Sequence, residues 1–362
     1  MNVARRHPLA AVVIVSLVAL GAACSSGAAT PSPTPPIPTT VTPSESPSHS
    51  PKPTKTPPVG TMPLGTFSVV SGSPSCAVGG NCRIDFQVDC PGVRQTAEGT
   101  LIASGPGGQP KGVILGFIGT LGTGTLGLNK QWVDSMVADG FEVVIVSWAT
   151  RTPWLMSAPG EQVGPKLLAC RPATSIQWIH DNIYKLLTSP AKGKGVCGFC
   201  ATGNSGGASQ IAYSMSFYGV ADLLDVAVMT SGPPHAALDQ ACLGPNPQLQ
   251  FDSDSASIVD LSYGFARGTG PCVHHDQSFA ETWKKDSAEV GGTYKFPDTR
   301  VAFLFVDGDH TPAPFHGKIY EDMVRNAGTP TVSEKTVHGS THTIMSFPEG
   351  RLAVEQELVS SG

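Results

Sequence analysis

Apolar and polar positions change period repeatedly from Lys111 onward. Strand-like runs cover Gly112 to Ile118, Phe141 to Ser147, Gly195 to Ala201, Leu224 to Thr230, Val301 to Val306 and Thr331 to Val337, most of them apolar. Between them lie longer segments with apolar residues three to four apart, which predict helices over about Lys130 to Asp139, Ala173 to Leu187, Gly206 to Tyr218 and His316 to Ala327. An amphipathic stretch, Pro348 to Val359, closes the chain. Strands that are apolar throughout are buried on both faces, so this alternation predicts a mostly parallel central sheet flanked by helices. Upstream, Arg83 to Val88 and Ala97 to Ala103 alternate apolar with polar, which predicts an antiparallel meander added at one edge. No internal repeat interrupts residues 64–362, which form one predicted globular domain.

The first 63 residues follow other rules. Arg5 and Arg6 precede a 15-residue apolar core, Leu9 to Ala23, and Ala22-Ala23-Cys24 supplies small residues for cleavage, so residues 1–23 read as an export signal peptide. The core is short for a membrane span. Ser25 to Thr61 contains no aromatic residue, and 12 of the 32 prolines fall between Pro31 and Pro63. Such a segment cannot build a core and is expected to act as an extended, semi-stiff linker over residues 24–63. The stretch ending at Cys24 resembles a bacterial lipoprotein signal, with Leu20 one place further from the cysteine than usual. That resemblance implies a lipid anchor at Cys24 and a domain held on the outer face of the cell membrane; the alternative is plain secretion.

Composition narrows the partners. The 362 residues carry 23 Lys and Arg against 28 Asp and Glu, with the cations dispersed. Nucleic-acid binding needs a clustered cationic surface and is therefore not expected. Besides Cys24, eight cysteines remain, at 76, 82, 90, 170, 197, 200, 242 and 272. An even number in an exported chain permits four disulfides and leaves their connectivity open. Cys242 and Cys272 stand apart from the others, which makes them one expected pair. Cys197 and Cys200 have redox C-x-x-C spacing, but a thioredoxin-type motif opens a helix, whereas this one lies in an apolar run leading into a turn.

Gly203-Asn204-Ser205-Gly206-Gly207 carries the chemistry. The bare pattern G-x-S-x-G is weak in a Gly-rich chain, and context strengthens it: a predicted strand precedes it and a predicted helix follows. A serine on so sharp a turn projects its hydroxyl outward from strained backbone, beside helix N–H groups that favour a developing oxyanion. Ser205 is the candidate nucleophile, and it needs a base and an acid that orients the base. His342 lies in a Gly-containing loop after the last predicted strand and is the favoured base, with His338 the competitor at the strand end. The acid is expected after Val301 to Val306, where Asp307 and Asp309 both qualify; Asp309 is preferred because Gly308 precedes it and Thr311-Pro312 follow. His338 and His342 have metal-like spacing, but Gly339 argues against a helix, and no metal site is assigned. His274, His275 and Asp276 are read as loop residues because no spaced partner completes a metal site.

Taken together, Lys111 to Val359 resembles the α/β-hydrolase superfamily in the order nucleophile, acid, histidine. Gly339-Ser340-Thr341-His342 followed by Ile344, Met345 and Phe347 matches that family's histidine turn, while Gly308 directly before Asp309 departs from its usual acid turn. The resemblance implies an α/β-hydrolase fold, an oxyanion hole from the N–H of Gly206 and one from Gly116 to Gly122, with Thr120 ahead of Leu121, and a cap insertion at about 233–298. It further implies a serine hydrolase acting on small-molecule or polymeric carboxylic esters without metal or organic cofactor. A lipase or polyester depolymerase, a peptidase on the same fold and a non-catalytic surface binding protein are the alternatives. Trp148 and Trp154 follow the run Phe141 to Ser147 and are assigned to the core in preference to a pocket wall.

Overall fold

Nine strands hydrogen-bond into one sheet in the order β1-β2-β3-β5-β4-β6-β7-β8-β9. This computed structural model describes residues 61–124, 127–191 and 195–359. The expected export signal, Cys24 and the expected linker up to residue 60 lie outside the described residues. Described residues all fall within the unit Lys55–Gly362.

The strands are β1 Thr66–Ser71, β2 Cys82–Asp89, β3 Ala97–Ser104, β4 Val113–Phe117, β5 Glu142–Trp148, β6 Phe199–Asn204, β7 Val226–Thr230, β8 Arg300–Val306 and β9 Val332–Val337. Pairing is antiparallel from β1 through β2 and β3 to β5, and parallel among β5, β4, β6, β7, β8 and β9. The helices are α1 Lys130–Ala138, α2 Pro165–Leu168, α3 Cys170–Asn182, α4 Gly206–Tyr218, α5 Leu238–Leu243, α6 Ser253–Ser262, α7 Ala280–Asp286, α8 Ala313–Asn326 and α9 Pro348–Val359.

Every residue of β4, β7 and β8 is buried, and the period of two decides which helices each meets. Val113, Leu115, Phe117, Met229 and Phe303 share one core with Ile176 and Ile179 of α3, Ile211 of α4 and Tyr320 of α8. The intervening Ile114, Val228 and Leu304 share the other with Trp132 of α1 and Val354 of α9. The sheet is therefore covered on both faces, as the continuous apolar runs predict. In β2 and β3 alternate residues are buried and the others face outward, which is the wet-faced meander expected upstream.

Several elements differ from expectation, among them α8, which starts at Ala313 instead of His316, and β7, which starts at Val226 instead of Leu224. Strand β1 has no apolar alternation and is almost wholly exposed; one residue anchors it, Phe67, stacked on Phe86 and Trp178 at 4.7 and 4.2 Å. Strand β6 runs Phe199–Asn204 instead of Gly195 to Ala201, because pairing with β4 and β7 holds Thr202, Gly203 and Asn204 extended despite their weak strand preference. Helix α3 starts at Cys170 and gives way to a 3-10 turn at Tyr184–Leu186, short of the expected end at Leu187.

Four disulfides join Cys76 to Cys82, Cys90 to Cys170, Cys197 to Cys200 and Cys242 to Cys272. Cys197 and Cys200 are buried at the entry to β6, so this C-x-x-C packs inside the molecule. Cys242–Cys272 lies in the insertion between β7 and β8, where α5, α6 and α7 enclose a separate apolar cluster including Phe251, Val259, Tyr263 and Trp283. Cys90–Cys170 spans 80 residues and pins the end of β2 to the start of α3. Closing so long a loop removes entropy from the unfolded chain, so replacing both residues with Ala should cost on the order of 2–4 kcal/mol. Thermal unfolding of the double variant should show a lower midpoint, and an unchanged midpoint would contradict the assignment.

Candidate active site

Ser205 stands between β6 and α4 with φ 55° and ψ −117°, a left-handed conformation costing roughly 1–3 kcal/mol for a residue with a Cβ. The surroundings enforce it. Ser205 N–H donates to the Thr230 carbonyl at 2.9 Å, and the Ser205 carbonyl accepts from Ser209 N–H at 3.1 Å. The two motif glycines let the turn close: a Cβ on Gly203 would collide with the backbone of Gly207, and one on Gly207 with the carbonyl of Phe117. Ser205 itself is half-buried and lines a cleft of about 140 Å³.

Thr120 lies on the same cleft, also at positive φ, 53°. A Cβ on Gly206 would strike the Thr120 carbonyl and amide, so absence of a side chain brings these two backbones together. Neither the Thr120 nor the Gly206 N–H meets a backbone carbonyl among the described residues. Leu121, the second candidate, does not line the cleft. The loop is held from behind: Trp154 Nε1–H donates to the Thr120 carbonyl at 3.0 Å, Gln210 Nε2–H to the Ile118 carbonyl at 3.0 Å, and Trp148 Nε1–H to Gln210 Oε1 at 2.8 Å. Both tryptophans are buried and neither lines the cleft, as their assignment to the core requires; in addition they brace the loop that carries Thr120.

The loop after β9 brings His342 to the cleft, and the turn after β8 brings Asp309 behind it. His342 Nδ1–H donates to Asp309 Oδ2 at 2.7 Å. This fixes the neutral ring as the Nδ1–H tautomer and leaves Nε2 as its proton acceptor. The other oxygen, Asp309 Oδ1, accepts from Thr311 N–H at 3.0 Å and Thr311 Oγ1–H at 2.7 Å. Burial pushes the Asp309 carboxyl up, but the His342 hydrogen bond and charge, with the Thr311 donors, hold it below the usual carboxylate range. His338 pairs with Asp307 at 2.8 Å, parallel to the first couple but at the surface, with side chains 79% and 51% exposed. Neither lines the cleft.

Ser205, Gly206, Thr120 and His342 thus meet at one cleft, with Asp309 behind the imidazole. Sequence reasoning used Thr311 only as a turn signal and not as the strap on Asp309, and it assigned no role to Asn204, whose Oδ1 accepts from Thr230 Oγ1–H at 2.9 Å and Ile344 N–H at 3.4 Å and so ties the strand before Ser205 to the loop after His342. It also missed His235, which follows β7 and lines the cleft. A polar residue just past a strand of a parallel sheet is a signal available from sequence, because ligands gather at the carboxyl ends of such strands. Of the remaining loop candidates, His275 Nδ1–H donates to the Cys242 carbonyl at 2.6 Å, and among the described residues no three metal-capable side chains cluster.

No family model matches the chain, and no curated protein matches it. Solved structures do. An acylaminoacyl peptidase of Pyrococcus horikoshii is similar at 12% identity and TM-score 0.47 over 76% of this chain, which spans 40% of the peptidase's own length. A thermostable esterase from Pseudomonas putida is similar at 13% identity and TM-score 0.48, covering 78% of this chain and 82% of that one. An esterase of Pyrococcus furiosus is similar at 11% and 0.47, over 82% and 98%. Likenesses this loose concern the path of the chain and transfer no activity. The fold rests on the molecule itself: a mostly parallel sheet covered on both faces, with the strand-turn-helix at Ser205 and the order Ser205, Asp309, His342 after β6, β8 and β9, is the α/β-hydrolase fold.

Proposed function

We propose that this chain is a serine hydrolase that cleaves carboxylic esters through an acyl-enzyme. One observation carries the reading: Ser205, on its strained turn, and His342, paired to buried Asp309, line the same cleft. In the proposed reaction His342 Nε2 takes the proton of Ser205 as the hydroxyl attacks the acyl carbon, and the imidazolium formed is stabilised by Asp309. The N–H groups of Gly206 and Thr120 receive the oxyanion. His342 then returns its proton to the leaving alcohol, and water repeats the cycle on the acyl-enzyme. No step calls on a metal or organic cofactor. The export signal and the four disulfides support a location outside the cytoplasm, with a lipid on Cys24 tethering the domain to the membrane.

A fluorophosphonate probe, followed by peptide mapping, should label Ser205, and p-nitrophenyl esters should be hydrolysed faster than peptide anilides in parallel assays. Anilides cleaved at least as fast would make the protein a peptidase on the same scaffold. Failure of Ser205 to react would favour a binding protein that keeps the fold without the chemistry.

A further inference from the structure

Two buried histidines, one in the insertion between β7 and β8 and one packed against it, differ in that only the second has partners on both ring nitrogens. His316 donates from Nε2 to the Leu249 carbonyl at 2.9 Å and accepts at Nδ1 from Ala237 N–H at 3.2 Å, so both ring nitrogens are used. His235 is 4% exposed, and its Nδ1 is buried without a partner. Its backbone is fixed: the carbonyl accepts from Tyr213 Oη–H at 3.0 Å and Ala288 N–H at 3.1 Å. Its ring is wedged between Trp154 and Phe251, with centroids 6.1 and 6.2 Å away. Burial, together with the neighbouring His316, drives its pKa down to about 3, so the imidazole is neutral across the working range.

The orphaned Nδ1 stays sealed whatever binds, but no hydrogen bond among the described residues engages Nε2 either, so this neutral imidazole on the cleft wall has a free ring nitrogen to offer a ligand. The cleft around it is small. At about 140 Å³ it compares with a cavity of about 150 Å³ that takes a benzene-sized guest. Pro234, Phe251, Ile258 and Ala313 give it apolar walls. Of the other polar side chains, Ser255 is half-buried and the Thr311 hydroxyl is committed to Asp309.

We propose that the cleft takes the acyl part of the ester and that His235 hydrogen-bonds a hydroxyl or carbonyl on it, making esters of short hydroxy- or oxo-acyl groups the preferred substrates. This rests on the ester-hydrolase reading above. Since Nδ1 is sealed from solvent, Nε2 is the ring atom that meets the substituent; a neutral imidazole presents either a donor or an acceptor there. A site built to hydrogen-bond a substrate hydroxyl discriminates against the analogue lacking it more sharply than an apolar wall discriminates one methylene.

The test compares kcat/KM for p-nitrophenyl 3-hydroxybutyrate, butyrate and octanoate. The native protein should favour 3-hydroxybutyrate over butyrate by about tenfold or more, and hydrolyse octanoate most slowly. His235→Leu should bring the hydroxybutyrate-to-butyrate ratio close to one. His235→Gln, whose amide reaches the position of Nε2, should restore part of the ratio, and His235→Asn should not. Thermal unfolding and probe labelling of Ser205 establish that each variant is folded. Equal hydrolysis of hydroxybutyrate and butyrate by the native protein, a ratio unmoved in His235→Leu, or octanoate matching butyrate would overturn the inference while leaving the ester reading intact. An unlabelled Ser205 with no ester hydrolysed would remove the ester reading, and this inference with it.

Discussion

Ser205→Ala lowers ester turnover by at least about a thousandfold while leaving the fold unchanged, the expected result of removing a nucleophile that acts as a unit with its base. The backbone at this position stays strained, because Ala at φ 55° keeps the Cβ that makes the conformation unfavourable. The contacts that impose the turn are main-chain ones, from Ser205 N–H to Thr230 and from Ser209 to the Ser205 carbonyl, and they survive the substitution. Thermal unfolding should therefore match the native protein. Residual hydrolysis above the water rate should persist, since Gly206 and Thr120, the proposed oxyanion donors, still line the cleft and binding is untouched. Turnover of p-nitrophenyl butyrate within a few fold of native would show that another group attacks, and the proposed function would have to be abandoned.

Where a segment's own chemistry decided its structure, it was legible before folding. Helix α4 begins and ends where its pattern predicts, Gly206 to Tyr218, because the strand before it, the Gly-rich turn and the αL Gly219 after it are all local signals. The buried strands were equally plain, since each is apolar on both faces. Strand β1 was not, because its single anchor is Phe67 stacking on residues distant in sequence. The polar end of β6 was missed for the same reason: Asn204 is kept in the sheet by Thr230 and Ile344, 26 and 140 residues away. At the site, Ser205 and the two histidine–aspartate alternatives could be named from spacing. The Gly-containing loop around His342 and the turn Gly308 to Pro312 favoured one couple locally, but which couple faces the cleft depends on how the two turns after β8 and β9 lie against each other, a tertiary fact. His235 went unremarked although its place after β7 was a signal; what only the packed molecule reveals is that it is buried on the wall of the Ser205 cleft.

That choice between couples yields the second large effect. Asp309→Asn replaces an acceptor of the His342 Nδ1 proton with an amide that can present its NH₂ there, favouring the tautomer with the proton on Nε2. The imidazole then has no lone pair toward Ser205, and turnover should fall by about 10³- to 10⁴-fold with the geometry preserved. Asp307→Asn should be nearly silent, because its partner His338 is 79% exposed and surface pairs of this kind contribute little. The pH dependence of stability separates the two further. Asp309 has a lowered carboxyl pKa, so its contribution is present above the unfolded value of about 4 and is lost as pH falls through the folded one. Asp309→Asn should flatten this acid limb in thermal unfolding measured from neutral pH downward. Kinetics of the two variants side by side decide the assignment: a severe loss in Asp307→Asn with a mild one in Asp309→Asn would move the acid, and with it the base, to the exposed couple of Asp307 and His338.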